Sequence, residues 1–335
     1  MDDEAHPLRW AVFMSAPLHP HRSKALVLLI GSTVFWGLSF PLLKAIVFMH
    51  ARLLPASGHW FITAETLWPR FALALLVIAV LNFRPLRTLT RGEWRQGLGL
   101  GLFSAAGLLF QIDGLQFTLA STSAFLTQFY ALMIPAWLAF RQRRNPGSSV
   151  WLSAALVLAG VAVLARLDWR DLRLGRGEAE TLLSSVFFMA QILWVGRKEF
   201  APNRVLPVTA AMFAVEAGLF LVLALATAGR PGELLVPWGS GAWVGFTLVL
   251  TLFSTLGAFL IMNACQPKIT ATEAGLIYCG EPVFASLMAL FLPAWFSAWG
   301  GFSYPNETAG VNLMLGGGLI TAANILIQLK PPRDP

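Results

Sequence analysis

Ten apolar runs, each close to the length that crosses a lipid bilayer, constrain the fold of this chain more than any other feature. They lie at roughly 25–48, 64–83, 95–115, 119–140, 149–166, 180–197, 206–228, 241–263, 270–292 and 308–329. About 20 mostly apolar residues suffice for a transmembrane helix, and only helices or closed barrels satisfy their backbone within lipid. The runs predict an all-α integral membrane protein with ten transmembrane helices.

The charged residues agree with a membrane protein and indicate its orientation. Charged side chains make up 12% of the 335 residues, against about 25% in a typical soluble domain. If the N-terminus is cytoplasmic, the inside segments hold 16 of the 24 Lys and Arg residues and the outside loops hold 6. This positive-inside bias predicts cytoplasmic N- and C-termini, and we expect the plasma (bacterial inner) membrane. It explains the net charge of +7 without nucleic acid as a partner.

The ninth run, Ile269–Leu292, carries charges that do not suit a lipid-facing helix. It contains Glu273, Glu281 and Pro282. A carboxylate at mid-span costs about 3 kcal/mol even on insertion scales, so it is expected to face protein or water. Pro282 has no N–H, which leaves the carbonyl of Tyr278 without its helical partner. We interpret this run as one wall of a polar cavity.

Prolines and charges also occur in the first two runs and in the fourth. Helix breaks are predicted at three prolines: Pro41, Pro135 and Pro282. Lys44, Glu65 and Arg70 are candidate gate charges near the outer mouth. Glu65 and Arg70 could form a pair if the helix kinks between them. The alternative for Lys44 is a side chain that extends to the membrane interface, and Arg70 has the same interfacial alternative.

The two halves of the chain are related in sequence. STVFWGLSFPLLK matches SSVFFMAQILWVGRK, and LASTSAFL matches KITATEAGL, at offsets of roughly 150 to 158 residues. Because each half has five runs, the halves insert with opposite orientation. The sequence therefore predicts two inverted five-helix repeats, at 25–166 and 177–329, after a disordered cytoplasmic tail at 1–24. Such repeats place a binding site near the membrane midplane, where helices are interrupted.

Three stretches carry a resemblance to a known family. FWGLSFPLLK, LAGVAVL and EPVFASLMALF resemble the EamA family of the drug/metabolite transporter superfamily, over roughly residues 25–329. The resemblance implies a ten-helix, two-repeat carrier with cytoplasmic termini that works by alternating access. It implies small metabolites, amino acids or toxic compounds as substrates, often exported and often coupled to protons. It also implies cavity positions at Trp36, Ser39, Glu281 and Pro282.

Polar side chains within the runs define a candidate site. The substrate cavity is predicted to contain seven residues that can stack on a small amphipathic solute or hydrogen-bond to it: Trp36, Ser39, Gln111, Gln128, Gln191, Tyr278 and Glu281. Proton coupling needs a carboxylate that exchanges a proton at a semi-buried position, and Glu281 and Glu216 are the candidates. Glu281 has a structural alternative, in which hydrogen bonds from neighbouring helices hold it. An interhelical hydrogen bond is the corresponding alternative for Gln128.

A secondary active transporter is the function that these features favour. The chain has no GxxxxGK[ST] phosphate loop and no room for a nucleotide-binding domain, so ATP does not drive it directly. We expect export of a small-molecule substrate, with no cofactor and no metal. The lipid bilayer is the other expected partner, and a homodimer is left open. A non-transporting membrane scaffold is the first alternative. A membrane-embedded enzyme is the weaker one, because the five histidines lie in the tail or in one loop.

The termini and the cysteines support smaller expectations. Residues 1–23 have no small-residue cleavage site after a short apolar core, so the first run is expected to act as a signal anchor. Met14 is an alternative to Met1 as the first residue. Cys265 and Cys279 lie in or beside apolar runs, which predicts buried thiols and no disulfide framework.

Overall fold

The computed structural model of this protein describes residues 20–329, apart from 82, 118–122, 124, 125, 144, 165–174 and 309. Throughout that part of the chain the backbone forms helices joined by turns, and no strand occurs. The predicted all-α class is therefore confirmed. Most of the tail predicted at 1–24, and the end of the predicted first repeat, lie outside the described residues.

The helices fall into two sets along the chain. The first set is α1 (Pro20–Leu53), α2 (His59–Leu81), α3 (Phe83–Arg87), α4 (Arg91–Gly114), α5 (Tyr130–Gln142) and α6 (Ser148–Leu164). The second set is α7 (Arg176–Val195), α8 (Val205–Thr227), α9 (Gly241–Val249), α10 (Ala258–Cys265), α11 (Ala271–Tyr278), α12 (Glu281–Ala289), α13 (Leu292–Gly300) and α14 (Val311–Leu329). A π-helical segment, Leu250–Gly257, joins α9 to α10 without a break.

Several of these helices are long and apolar enough to cross a membrane. Within the described residues there are six such stretches: Arg22–Leu53, His59–Leu81, Arg91–Gly114, Arg176–Val195, Val205–Thr227 and Gly241–Lys268. A seventh is Ala271–Ala289 followed, after a 61° bend, by Leu292–Gly300. Two apolar helices, Ser148–Val163 and Met314–Ile327, are shorter than a full span. The chain is an integral membrane protein by these criteria, and the ten-helix count stays a prediction.

Polar contacts at the first end of the bundle show which helix ends lie together. At this end, named here the Pro20 end, Arg22 at the start of α1 pairs with Glu273 at the start of α11. Arg204, just before α8, donates from Nε to Oε1 of Glu93 in the first turn of α4, at 2.6 Å. The starts of α1, α4, α8 and α11 therefore lie at one end of the bundle.

The opposite end, named here the Leu53 end, is closed by a second group of polar contacts. Arg52 in the last turn of α1 donates from Nη1 to the carbonyl of Gly301, at 2.6 Å. Arg176 at the start of α7 donates from Nη2 to Oδ2 of Asp113 at the end of α4, at 2.6 Å. Successive long helices therefore run in opposite directions, as the predicted topology requires.

The main helix contacts join one half of the chain to the other. α2 packs on α8, α6 on α14, α4 on α7 and α8, and α1 on α10 and α12. Small residues allow the closest of these approaches. A Cβ on Gly37 of α1 would lie 2.7 Å from Cβ of Phe284 and 2.9 Å from the backbone nitrogen of Ala285 on α12. α1 and α12 are therefore in backbone-to-backbone contact at the middle of α1.

Two of the three predicted helix breaks are wrong. α1 continues through Pro41 and α5 continues through Pro135. Membrane helices tolerate an internal proline where neighbouring helices or hydroxyl side chains satisfy the freed backbone groups. The third break is present, because α11 ends at Tyr278 and α12 begins at Glu281. There Pro282 lies in the first turn of a new helix, where its missing N–H is not needed.

The contact at Gly37 generates a stability prediction. Gly37→Ala is expected to destabilise the protein by about 1–3 kcal/mol, because the added methyl overpacks the α1–α12 contact. Gly31 is the matched control on the same helix, since a Cβ there meets no heavy atom within 4 Å. Gly31→Ala is expected to be neutral or stabilising by up to about 1 kcal/mol. Thermal unfolding of the purified variants measures both, and equal midpoints would contradict the close approach.

Candidate functional site

A cavity lined mainly by apolar side chains, with a few polar and charged ones, lies in the middle of the bundle beside the interruption between α11 and α12. Its walls come from α1, α2, α4, α5, α7, α10 and the two interrupted helices. The cavity volume is about 80 Å³. The cavity extends from the centre of α1, at Trp36, to Leu115 beyond the end of α4. It therefore reaches from mid-bundle toward the Leu53 end.

The start of α11 explains why one of the two glutamates of the ninth run is not part of this cavity. Thr270 caps the helix: its Oγ1 accepts from the Glu273 N–H at 3.1 Å, and its own N–H donates to Glu273 Oε2 at 3.0 Å. The other oxygen of Glu273 is the partner of Arg22 at the Pro20 end. Both carboxylate oxygens of Glu273 are thus used in capping and in joining α11 to α1.

The interruption itself brings Glu281 to the cavity. Cys279 and Gly280 form a turn between the two helices, and Glu281 is the first residue of α12. Its side chain lines the cavity and is half-buried. No hydrogen bond or ion pair joins it to the other described residues. The close contact of α12 with Gly37 fixes the helix that carries it.

Aromatic rings and an amide close the cavity toward the Pro20 end. Trp36 meets Tyr278 edge-on, with centroids 5.1 Å apart, and meets Phe259 in the same way at 5.7 Å. The Tyr278 hydroxyl donates to Oε1 of Gln266 at 2.9 Å. Nε2 of Gln266 in turn donates to the carbonyl of Ile192 at 2.7 Å. This chain of contacts joins α1, α7, α10 and α11 beneath the cavity.

Six of the seven residues predicted for the cavity lie around it: Trp36, Ser39, Gln111, Gln191, Tyr278 and Glu281. Gln128 does not, and neither its amide oxygen nor its amide nitrogen has a hydrogen-bond partner in the described part of the chain. Its neighbour Thr127 lines the cavity instead and accepts from Gln111 Nε2 at 3.3 Å. The turn at 128–129 before α5 directs Thr127 and Tyr130, rather than Gln128, toward the cavity.

The predicted gate charges do not form a gate. Glu65 accepts from Trp68 Nε1 at 2.7 Å, and Arg70 donates from Nε to Thr255 Oγ1 at 2.9 Å. Each residue therefore has a different partner, and the predicted Glu65–Arg70 pair is wrong. Lys44 is exposed, with Nζ 5.6 Å from the centre of the Tyr304 ring. Its position away from the cavity agrees with the interfacial alternative.

Arg70 is the cavity residue that the sequence interpretation misplaced. The sequence predicts that the second run begins at residue 64 and that Arg70 lies near the outer mouth. α2 begins at His59, so Arg70 is the twelfth of its 23 residues and lies at mid-helix. Its side chain lines the cavity. The helix begins five residues before the predicted start, and five residues correspond to about 7.5 Å along a helix. Arg70 therefore lies deeper in the bundle than the sequence predicts.

Glu216 lies near Arg70 and outside the cavity lining. It is fully buried on α8, which packs on α2, the helix that carries Arg70. Within the described residues neither of its carboxylate oxygens has a hydrogen-bond partner by distance and angle, although the Ser104 hydroxyl is close.

The same part of the chain contains no group of three His, Cys, Asp or Glu side chains that could hold a metal ion.

A helical bundle with membrane-length spans is the architecture of an integral membrane protein, and here it encloses a cavity at a helix interruption. Residues 23–166 match the model of the EamA-like transporter family. This family is part of the drug/metabolite transporter superfamily, and the resemblance seen in the sequence is confirmed over the matched residues. The match nearly coincides with the predicted first repeat at 25–166. The second repeat stays a prediction.

Solved structures share the fold over nearly the whole chain. One, titled only "Crystal structure of protein", aligns with a TM-score of 0.66 and 18% sequence identity. The alignment covers 92% of this chain and 97% of the other. At this identity the likeness concerns the fold alone. Among the curated proteins, none matches this chain.

Two buried glutamines beside the cavity give opposite expectations for stability. Gln128→Leu is expected to raise the free energy of unfolding by about 1–3 kcal/mol, because it removes a buried amide without partners. Gln266→Leu, the matched control, is expected to lower it, because it breaks the bonds to Ile192 and Tyr278. Thermal unfolding of both purified variants tests this. A lower midpoint for Gln128→Leu would mean that its amide is bonded in the folded protein.

Proposed function

We propose that this protein is a secondary active transporter that exports a small metabolite, amino acid or toxic compound across the bacterial inner membrane by alternating access. The observation that carries the proposal is the cavity at mid-bundle, which helices of both halves surround and whose mainly apolar lining contains Arg70 and Glu281. Charged groups such as Arg70 and Glu281 are costly in the middle of a membrane and there mark substrate or ion pathways. The family match over residues 23–166 supports the same class.

The two alternatives account for the cavity less well. A scaffold needs no half-buried carboxylate without a partner, yet Glu281 is one among the described residues. An enzyme needs a nucleophile, a metal or an acid–base pair within reach of one another. The described cavity lining offers a single carboxylate, and the buried thiol of Cys279 donates to the carbonyl of Gly275 at 3.2 Å.

An inverted repeat is part of the proposal, and the helix contacts support it. A two-fold axis in the membrane plane would pair the second run with the seventh and the fifth with the tenth. α2 on α8 and α6 on α14 are these pairs. The same axis relates the contact of α4 with α7 to that of α1 with α10, and both occur. We therefore count α6, α14 and the fourth run as spans, which gives ten.

The orientation of the protein is testable with single cysteines. Both native thiols are buried, so Cys265→Ala with Cys279→Ala provides the background. Ser57→Cys and Ser303→Cys are expected to react with an impermeant maleimide on intact cells. Asn145→Cys and Pro202→Cys are expected to react in inverted vesicles alone. If residues 145 and 202 are labelled from opposite sides of the membrane, α6 is not a span. If all four positions are labelled from the side opposite to the expected one, the termini are not cytoplasmic.

Transport itself is testable at Glu281. A thermal-shift screen on purified protein identifies a ligand, because binding stabilises the folded state in proportion to occupancy. With that ligand, wild-type proteoliposomes are expected to show flux and a substrate-driven pH change. Glu281→Gln is expected to reduce the flux at least about 10-fold, as loss of a charge-assisted contact would. Glu199→Gln, an exposed carboxylate at the Pro20 end, is the control. The transporter proposal is wrong if no ligand gives flux in wild-type vesicles.

A further inference from the structure

The first observation concerns the hydrogen-bonding capacity of Arg70. The residue is 3% exposed, and it lines the cavity. Its Nε donates to Thr255 Oγ1 in the π-helical segment. No other hydrogen bond joins Arg70 to the residues that the structure describes. A guanidinium has five N–H donors in a fixed fork, so four remain for a group inside the cavity.

A second donor of the cavity also lacks an acceptor. Gln191 on α7 is 4% exposed and lines the same cavity. Its Nε2 has no hydrogen-bond partner within the described part of the chain. Buried donors without acceptors are rare in folded proteins and call for a missing partner. A ligand that presents oxygen acceptors to Arg70 and Gln191 would satisfy both.

The third observation is the position of Glu216. This carboxylate is fully buried outside the cavity lining, and neither of its oxygens has a hydrogen-bond partner among the described residues. Glu216 and Arg70 each lie at the middle of their helix, and these two helices, α8 and α2, pack on each other. No ion pair within 4.0 Å joins the two described side chains. An anionic ligand in the cavity and the Glu216 carboxylate would both interact with Arg70. The single positive charge of the guanidinium can neutralise only one of these two negative charges.

We propose that Arg70 and Gln191 bind a carboxylate, or a comparable anionic group, of the transported solute, and that Glu216 takes up one proton when that group binds. The inference rests on the proposed transport function and names its substrate class. The proton comes from water at the open side of the cavity and forms an O–H bond on Glu216. When the anionic group leaves, Glu216 releases the proton and again neutralises Arg70.

Charge balance in the membrane is the reason for this exchange. An anionic group on Arg70 together with an ionised Glu216 would leave one buried negative charge without a counter-charge, and such charges are strongly disfavoured. Glu281 is the single carboxylate of the described lining, at the α11–α12 interruption. It remains available for a cationic group of the same solute, so a zwitterion fits as well as a simple anion.

Arg70 lies at the middle of α2, as Glu216 does on α8, and the two helices pack on each other. Among the helices packed on α8, α2 contributes Arg70, α4 contributes the Ser104 hydroxyl, and the described α10 has no Lys, Arg, Asp or Glu. Glu65 on α2 is engaged with Trp68. The charged groups of the other elements packed on α8 lie near its ends, about 15 Å from Glu216 along the axis: Arg84, Arg87 and Glu233.

Isothermal titration of the purified full-length protein with four probes of one shape tests the anion site. The probes are 3-phenylpropionate, phenylalanine, 3-phenylpropanol and 3-phenylpropylamine. The two carboxylates are expected to bind, and the alcohol and the amine at least about 10-fold more weakly, because they lack the charge-assisted bonds. Arg70→Gln is expected to weaken carboxylate binding by about 10- to 100-fold, with partial recovery in Arg70→Lys. Lys44→Gln, which removes a positive charge outside the cavity, is expected to change nothing.

Titration in two buffers of different ionisation enthalpy measures the proton. Wild-type protein is expected to take up as much as one proton per bound carboxylate. Glu216→Gln is expected to bind the same probes without proton uptake, whereas Glu65→Gln, a buried carboxylate away from the cavity, keeps it. Glu216→Asp provides the second readout if the amide variant does not fold, since it retains an exchangeable proton.

The outcomes separate this inference from the transport proposal. Failure of both carboxylates to bind, or binding that is independent of Arg70, overturns the anion site. Proton uptake that persists in Glu216→Gln overturns the exchange. If a solute crosses wild-type and Arg70→Gln proteoliposomes equally fast, the transporter stands and this inference falls. If carboxylates bind through Arg70 but no solute crosses wild-type vesicles, the transport proposal falls instead.

Discussion

The absence of hydrogen-bonding partners in lipid is the constraint on which this structure depends. Any interruption of a spanning helix must face protein or a polar cavity, because each unpaired backbone group is costly in hydrocarbon. The interruption after Tyr278 meets this requirement because α12 packs directly on α1 at Gly37. The same contact holds Glu281 beside Trp36 and Tyr278. One close helix approach thus permits both the break and the site.

The charged residues divide into two groups with different partners. Those at the helix ends are paired: Glu273 with Arg22 and Thr270, and Glu93 with Arg204. Those at the middle of the bundle are not paired in this way. Arg70, Glu216 and Glu281 have few or no direct partners among the described side chains. End charges that are already neutralised hold the bundle together, whereas mid-bundle charges without partners are available to a solute and a proton.

Sequence reasoning predicted the cavity well where a local motif carried the signal. Trp36 and Ser39 lie beside the proline of the first run, and Glu281 precedes that of the ninth, so each was recognisable without knowledge of the fold. The prediction was wrong where the position of a side chain depended on the exact start of a helix or on the direction of a turn before it. Arg70 moved from mouth to centre because α2 begins five residues earlier than expected. Gln128 faces away from the cavity because the chain turns before α5.

By itself, the sequence determined that this protein is a bundle of membrane helices with alternating direction, because run length and the positions of Lys and Arg are read one segment at a time. It also determined that the ninth run must border protein or water, since lipid excludes its carboxylate. Only the tertiary structure decided which polar groups share one space. Arg70 and Glu281 lie more than 200 residues apart in the chain. They line one cavity because α2 and α12 both border it, and helix packing alone sets that relation.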